Sequence, residues 1–501
     1  MSDAMSDYRP DSVSLRQFEP LPGDQYPLEF MQENGVVKLR DSDSELVVGV
    51  SSPDSDELQQ RLRLFHRRSD IRFVTVDATE LASYIGRRAA GGDEPDTGND
   101  KPDDDRNNLN RLANDAPIIN LVNSIFLEGI RRGASDIHIE SYPDTVRVRL
   151  RIDGVLQSER GISRAMFAGV SSRIKIMANL NIMERRLPQD GRISVEMLGE
   201  QVDVRISIVP TISGESIVLR LFNRSHDLLG LVDLGFDETQ LTEVRQMAAH
   251  HHGLIAVTGP TGSGKTTTLN ALLRELRSDA VKIITIEDPV EYHIPGIEQI
   301  QVNERIGLTF DSVLRRILRQ DPNIIMVGEI RDQATAELAL RAALTGHLVL
   351  TTLHTNDAPG AVVRLANMGL EPYLIAGVLR GVMAQRLVRR LCIHCREPVE
   401  PHPAELALFS RKNIALPKGA MLYRAVGCDR CMQTGFRGRV ALLEKFSVDS
   451  EVENWILDGL TSEQLSRNLR ERGMTGLLES GLQQVVIGTT TLQEVEKVVA
   501  I

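Results

Sequence analysis

The sequence predicts an α/β protein centred on a doubly wound parallel sheet, and three features predict it. Four runs, "LIAVTG", "VKIITIED", "IIMVGE" and "HLVLTTLH", are apolar almost throughout and end in polar residues or glycine, as strands buried on both faces do. Between them lie helical stretches such as "SVLRRILRQ" and "ATAELALRAALTG", so that strands and helices alternate. The first run leads into "GPTGSGKTTTLN", a glycine-rich turn that opens a helix.

The remaining elements follow in chain order. At 501 residues the chain exceeds one core, so several domains are expected. Residues 1–90 read as a small α/β or α+β module: "GVVKL", "ELVVGV" and "IRFVTV" as strands, "DELQQRLRLF" as a short amphipathic helix. Residues 91–107 include "GGDEPDTGNDKPDDDR", which lacks large apolar residues and is expected to be a flexible acidic tether. A second α+β domain, 108–223, opens with the helical "APIINLVNSIFLEGIRRG" and continues through the strands "TVRVRLRIDG", "GRISVEM", "QVDVRISIV" and "ESIVLRLF". In its first strand Val146, Val148, Leu150 and Ile152 share one face, and Arg147, Arg149 and Arg151 the other. That arginine row is either a solvated face or a face turned toward phosphates. A linker at 224–238, the nucleotide core at 239–390, a cysteine-bearing subdomain at 391–439 and a helical segment at 440–501 complete the chain.

Composition narrows the function. Aromatics at 4% leave few base-stacking platforms, and a net charge of -11 lacks the basic footprint of a nucleic-acid binder. No window reaches the roughly 18 apolar residues of a membrane span. The N-terminus carries acids and prolines where a signal peptide has a basic patch and an apolar run. A cytosolic protein is expected, or one held at a membrane by a partner.

Gly259, Pro260, Thr261, Gly262, Ser263, Gly264, Lys265 and Thr266, followed by Thr267, form a full P-loop. Glycines let backbone N–H groups turn onto phosphates, and the helix N-terminus adds partial positive charge. Lys265 is expected to reach the β- and γ-phosphates of ATP, and Thr266 to ligate Mg2+. Glu329, just past an apolar strand, can orient or deprotonate an attacking water. That strand ends in Gly328 rather than aspartate, so metal contact passes through water or another acid, with Glu287, Asp288 and Glu291 as candidates. Turn formation and helix capping are the plainer role for those acids. His347 and His354 bracket a third strand and are expected to sense phosphate, although packing is the commoner role of such histidines.

Cys392, Cys395, Cys428 and Cys431 form two C-x-x-C pairs, the ligand set of a structural Zn2+. Free thiols or a redox pair are the alternative. Four sulfur ligands leave no open position for catalysis, and His394 between two of them reads as a bystander.

The P-loop, "TIEDPVEY", "IIMVGEIRD" and "ALTGHLVLTTLHTN" resemble, in order, the Walker A, Asp box, Walker B and His box of the secretion ATPases, the superfamily of type II secretion, type IV pilus and conjugation-type motors. "GASDIHIE", "LRIDGVL", "LPQDGRI" and "VRISIVPTISGESIVLRLF" look like the domain preceding its nucleotide core. The resemblance runs from about residue 108 to the C-terminus and implies a RecA-like P-loop ATPase core assembled as a homohexamer. It implies that Arg205 and Arg220 reach the γ-phosphate region, with Arg315, Arg319 and Arg331 as weaker candidates for which salt bridges serve equally well. The tetracysteine element and the single short module before the tether look most like the type II secretion branch, whose motors drive pseudopilus assembly. The resemblance further implies peripheral association with the bacterial inner membrane. Residues 1–90 would dock on the cytoplasmic domain of an inner-membrane assembly protein (GspL-like), and an inner-membrane platform protein (GspF-like) is a second partner. A pilus assembly ATPase is the nearest alternative. A nucleic-acid motor and a zinc-stabilised adaptor that binds ATP without turnover are more distant ones.

Overall fold

The computed structural model describes residues 12–13, 15, 26, 30–31, 34–41, 45–51, 56–66, 71–89, 109–197, 199–223, 229–412, 414, 416–417 and 419–499. The tether expected at 91–107 and the linker positions 224–228 lie outside the described residues. The chain divides into two compact units, residues 1–104 and 105–501.

In the first unit β1 (Ser12–Val13), β4 (Ile71–Val76), β3 (Leu46–Val50) and β2 (Val36–Asp41) form a sheet in that order, β1 and β3 parallel to β4, β2 antiparallel to β3. Helices α1 (Asp56–His66) and α2 (Ala78–Ala89) bury Leu62, Leu81 and Ile85 in a core with Val36, Leu46 and Val48. Helix α2 is absent from the sequence reading.

The second unit begins with α3 (Ala116–Arg131), started by Pro117 in its first turn and burying Ile118, Val122, Ile125 and Phe126. Strands β5 (Asp136–Ser141), β6 (Val146–Ile152), β7 (Val155–Ile162), β8 (Gln189–Met197), β9 (Glu200–Thr211) and β10 (Gly214–Asn223) make a sheet ordered β7-β6-β5-β10-β9-β8. Helix α4 (Arg164–Met177) packs with α3, and both share one core with the inward residues of the sheet, among them Val146, Val148 and Leu150. Asp153 and Gly154 both have positive φ, the two-residue turn that matches strand twist, and this turn makes a hairpin partner of the polar β7. Two of the β6 arginines are held by carboxylates, Arg149 pairing with Glu140 and Arg151 lying 3.6 Å from Asp136, while Arg147 lies 5.0 Å over the Tyr142 ring.

A 3-10 turn at Leu231–Leu234 and α5 (Glu238–Ala248) lead into the central sheet. Leu231, Leu234 and Phe236 are buried against Ile255, Val257 and Leu272, so residues 229–236 are part of the nucleotide core and not a loose linker. The central strands are β11 (Gly253–Thr258), β12 (Ile283–Glu287), β13 (Glu298–Gln301), β14 (Ile324–Val327), β15 (Leu348–Leu353), β16 (Leu379–Leu391) and β19 (Phe436–Ser447), ordered β13-β12-β14-β15-β11-β16-β19. All run parallel except β19, which pairs antiparallel with β16. Helices α6 (Lys265–Leu276), α7 (Phe310–Ile317), α8 (Gln333–Leu344), α9 (Ala358–Asn367) and α10 (Pro372–Val378) cover the two faces, which explains why β11, β12, β14 and β15 are buried at every position.

Between β16 and β19 lie β17 (Glu397–Val399), α11 (Pro403–Arg411) and β18 (Leu422–Arg424). The boundary expected at 440 falls inside β19, because that strand completes the central sheet. Helices α12 (Ser450–Leu457), α13 (Ser462–Glu471), α14 (Leu477–Val486) and α15 (Leu492–Glu496) end the described chain, and Leu465, Leu477, Leu482 and Val495 join the central core. No helix among the described residues is long and apolar enough to cross a membrane.

Candidate nucleotide site

The P-loop leaves β11 at Thr258 and enters α6 at Lys265. Gly259 and Gly264 have positive φ, and a Cβ at either would lie within 2.8 Å of Gln385 or Ser263, so only glycine fits. Gln385, 1% exposed on β16, explains that crowding. Its amide Nε2 donates to the Ser263 carbonyl at 2.8 Å, and its Oε1 accepts from the Thr268 hydroxyl at 2.7 Å. One buried side chain thereby ties the loop to its helix. The end of β11, where the loop begins, is also tied to the segment after β15: Thr258 Oγ1 accepts from the Thr355 N–H at 2.8 Å.

Lys265 is buried and its Nζ donates to the carbonyls of Gly259 at 2.8 Å and Pro260 at 3.1 Å. Burial lowers its pKa, and the negative charge of Glu329 opposes that shift. Thr261 to Thr267, Glu287, Asp288, Glu291, Glu329 and His354 line one cavity of about 490 Å³ at the C-terminal ends of the strands, where open α/β sheets hold ligands. Gly259 and Pro260 shape the loop from behind without lining this cavity.

The carboxylates differ in what holds them. Glu329 pairs with Arg331 and lies 3.3 Å from His354 Nε2. Glu287 is 2% exposed; its Oε1 accepts from Thr285 and Gln299, while Oε2 has no partner among the described residues. Burial raises the pKa of Glu287 and also that of Glu291, against the pull of Arg205 in the second case. Asp288 lies 4.0 Å from Arg331.

His347 does not join the site. It sits before β15, at the end of the strand opposite the cavity, and its Nδ1 lies 2.9 Å from the Ala342 carbonyl. A strand separates its two flanking residues by its whole length, so His347 and His354 cannot meet one phosphate. The expectation of a phosphate-sensing His347 is corrected accordingly.

Arg205 crosses from the 108–223 domain to the rim of the cavity, donating to the Val290 carbonyl at 3.2 Å and lying 3.7 Å from Glu291. Arg220, beside it in register, donates to Asp136 at 2.9 Å. Arg315 lies 3.9 Å from Asp311, and Arg319 donates to the Arg315 carbonyl, so both make contacts on their own helical segment. Thr267, Tyr292 and Arg439 also line an adjoining cavity of about 610 Å³ between the two domains. Sequence reading missed Gln385 and Arg439. A glutamine inside the apolar run "VMAQRLV" was the available signal, since buried amides need partners.

The donor set suits ATP and Mg2+. Ser263 Oγ and Glu287 Oε2 are buried without a partner among the described residues, beside a loop whose Gly259, Gly262 and Gly264 take positive φ. The cysteines suit zinc. Their ligand atoms all lie within 4.8 Å of one another, with contacts of 3.7 to 3.9 Å. A tetrahedron of Zn–S bonds of about 2.3 Å has edges of about 3.8 Å. Cys392 follows β16 and Cys428 and Cys431 precede β19, so the cluster closes the base of that hairpin's long connection.

Fold and cradle together define a P-loop ATPase whose preceding domain sets Arg205 against Glu291 at the rim of the nucleotide cavity. Residues 111–497 match the family described as type II/IV secretion system protein, and residues 8–95 match the MshEN domain. The chain belongs to the type II/IV secretion system protein family, a family of hexameric secretion ATPases that use ATP and Mg2+. It is 46% identical over 390 residues to the type II secretion system protein E of Pseudomonas aeruginosa, covering 78% of this chain and 77% of that one. It is 40% identical over 506 residues to the type IV pilus assembly ATPase PilB of Myxococcus xanthus, covering 97% of this chain and 88% of the relative. Among solved structures, the pilus retraction motor PilT with bound ADP superposes with a TM-score of 0.53 at 25% identity, covering 75% of this chain and 96% of that one. The Legionella pneumophila ATPase DotB shares the fold, with a TM-score of 0.57 at 22% identity over 76% of this chain and 95% of that one.

Proposed function

We propose that this chain is the cytoplasmic motor of a type II secretion system, hydrolysing ATP to drive pseudopilus assembly. The observation that carries the motor reading is Arg205, which reaches from one domain to Glu291 on the nucleotide rim of the other. Charge from two domains on one terminal phosphoryl group makes domain position depend on whether that group is present.

In this reading the P-loop amides and Lys265 hold the phosphates. Thr266, with the acids Glu287, Asp288 and Glu291 that line the same cavity, would hold Mg2+, which supplies positive charge against the phosphates. Glu329 orients the attacking water, held by Arg331 and His354. Arg205, with Arg220 beside it on the sheet, offsets charge developing on the γ-phosphoryl group, and cleavage releases the hold of Arg205 on the rim. Residues 1–90 recruit the motor to the inner membrane by docking on the cytoplasmic domain of an assembly protein there, and a platform protein receives the stroke. Pilus assembly is the second reading, because a type IV pilus assembly ATPase matches this chain over as much of its length, and at the same identity, as a type II secretion system protein E does.

Replacing Glu329 by Gln is expected to retain nucleotide binding and to lower hydrolysis by about 100-fold or more. Equal phosphate release from both proteins removes Glu329 from the mechanism. Capture of a type II assembly protein by the full chain, lost on deleting residues 1–90, separates the two filament readings; capture of a pilus protein instead selects the second.

A further inference from the structure

The sheet of the 108–223 domain carries more positive charge than the nucleotide rim engages. Register places Arg151, Asp136, Arg220, Arg205 and Arg192 side by side across β6, β5, β10, β9 and β8. Asp136 answers Arg220 at 2.9 Å and Arg151 at 3.6 Å, and Glu291 answers Arg205. Arg192 has no ion-pair or hydrogen-bond partner among the described residues. Like charges directly opposite one another in an antiparallel pair are destabilising, so the row Arg220–Arg205–Arg192 costs stability that an anion would relieve. The charges are felt: burial lowers the pKa of Arg205, and Arg192 and Arg220 press it further down against the pull of Glu291.

A fourth guanidinium comes from the nucleotide core. Arg305, on the 3-10 turn Glu304–Ile306, lines the same cavity of about 540 Å³ as Arg192, Arg205 and Arg220, and it too lacks a partner among the described residues. Asp190 is the one carboxylate among the residues lining it. This open cleft shares no lining residue with the nucleotide cavity. The Arg205–Glu291 pair joins them, Arg205 lining the cleft and Glu291 the nucleotide side.

We propose that this open cleft is a subsite for inorganic phosphate, reached by cleaved phosphate when the Arg205–Glu291 pair parts and by free phosphate from solvent past the exposed Arg192 and Arg305. It rests on the hydrolytic reading above. Phosphate offers several acceptor oxygens at one centre, which suits planar guanidinium forks converging from two domains better than it suits a single ammonium. Product held there keeps the two domains bridged after cleavage, and its departure frees them.

The test uses the full chain with its nucleotide cavity saturated by a nonhydrolysable ATP analogue, and radiolabelled inorganic phosphate as the probe. Phosphate is expected to bind this complex. The double substitution Arg192→Ala with Arg305→Ala is expected to weaken that binding by about 10-fold or more, about 1.4 kcal/mol or more. Arg192→Lys with Arg305→Lys, which keeps the charge but loses the planar forks, is expected to bind phosphate with an affinity between those of the parent and the alanine pair. Phosphate affinity unchanged in the alanine pair overturns the proposal, as does phosphate binding that disappears once the analogue fills the nucleotide cavity. Loss in the lysine pair equal to that in the alanine pair overturns the charge-based recognition. A chain that binds phosphate as expected but turns over no ATP overturns the hydrolytic reading and leaves the subsite standing.

Discussion

Gln385 interrupts an otherwise apolar strand, and its two amide atoms are both spent, on Ser263 and on Thr268. Its replacement by leucine keeps the volume, removes two hydrogen bonds and strands a buried carbonyl and a buried hydroxyl. Each such loss costs about 1–3 kcal/mol. Gln385→Leu is therefore expected to weaken nucleotide binding by about 10-fold or more through a loosened P-loop, read by titration with a fluorescent nucleotide. Far-ultraviolet circular dichroism is expected to match the parent. A residue that merely filled space would leave the affinity where it was. His354 and His347 show the same principle from the other side: similar in sequence, they are separated by a whole strand, and only His354 lies beside Glu329.

At the scale of elements, the β16–β19 hairpin is where the chain is stapled. The four cysteines close its connection, and Arg389 on β16 pairs with Glu494 of α15 through hydrogen bonds of 2.7 and 2.8 Å while lying 4.0 Å over Phe436. Removing zinc with a chelator is expected to lower the melting temperature and expose four reactive thiols, while nucleotide binding persists because Gln385 is held within the central sheet. Thiol titration with and without chelator, alongside nucleotide binding, checks both halves. Burial alone would raise the Glu494 carboxyl, but hydrogen bonds from Arg389 and Lys497 outweigh it and hold it at about 2, below its ordinary 4.5. A depressed pKa contributes stability that is complete above the unfolded value and is lost as pH falls toward the folded one. That contribution is at most about 3 kcal/mol. The stability gap between the parent and Glu494→Gln is expected to be constant from pH 5 upward and to shrink between about 4.5 and 2. Urea unfolding across that range measures it, and a gap independent of pH refutes the pair's role.

For the molecule as a whole, the decisive contacts run between the 108–223 domain and the nucleotide core. Arg205 meets Val290 and Glu291, and Asp153, at the tip of the β6–β7 turn, accepts from the Gly438 N–H at 2.8 Å. Arg205→Ala is expected to lower the turnover number by about 100-fold or more while affinity for an ATP analogue changes only a few-fold, since the arginine serves charge that develops during cleavage. Steady-state kinetics beside equilibrium binding separate the two; a change in affinity alone would make Arg205 a simple binding residue.

Much of this architecture was written in local sequence. Period-two alternation gave β6 and β9, continuous apolar runs gave the four central strands, and the P-loop and paired cysteines announced their ligands through spacing. These features are legible because a strand's pleat, a phosphate's need for inward N–H groups and a metal's tetrahedron each act over a few residues. Other features had no such signature. The polar β7 became a strand because the Asp153–Gly154 turn folds it onto β6, and residues 229–236 became core because an apolar face of the sheet lay open to them. Strand β19 belongs to the central sheet through pairing with residues far behind it in the chain. The sequence by itself determined which chemistry is present. Only the tertiary structure decided which groups share it: Arg205 with Glu291, His354 without His347, and Gln385 beneath the phosphate loop. Convergence of distant side chains follows from sheet order and domain docking, which no local pattern encodes.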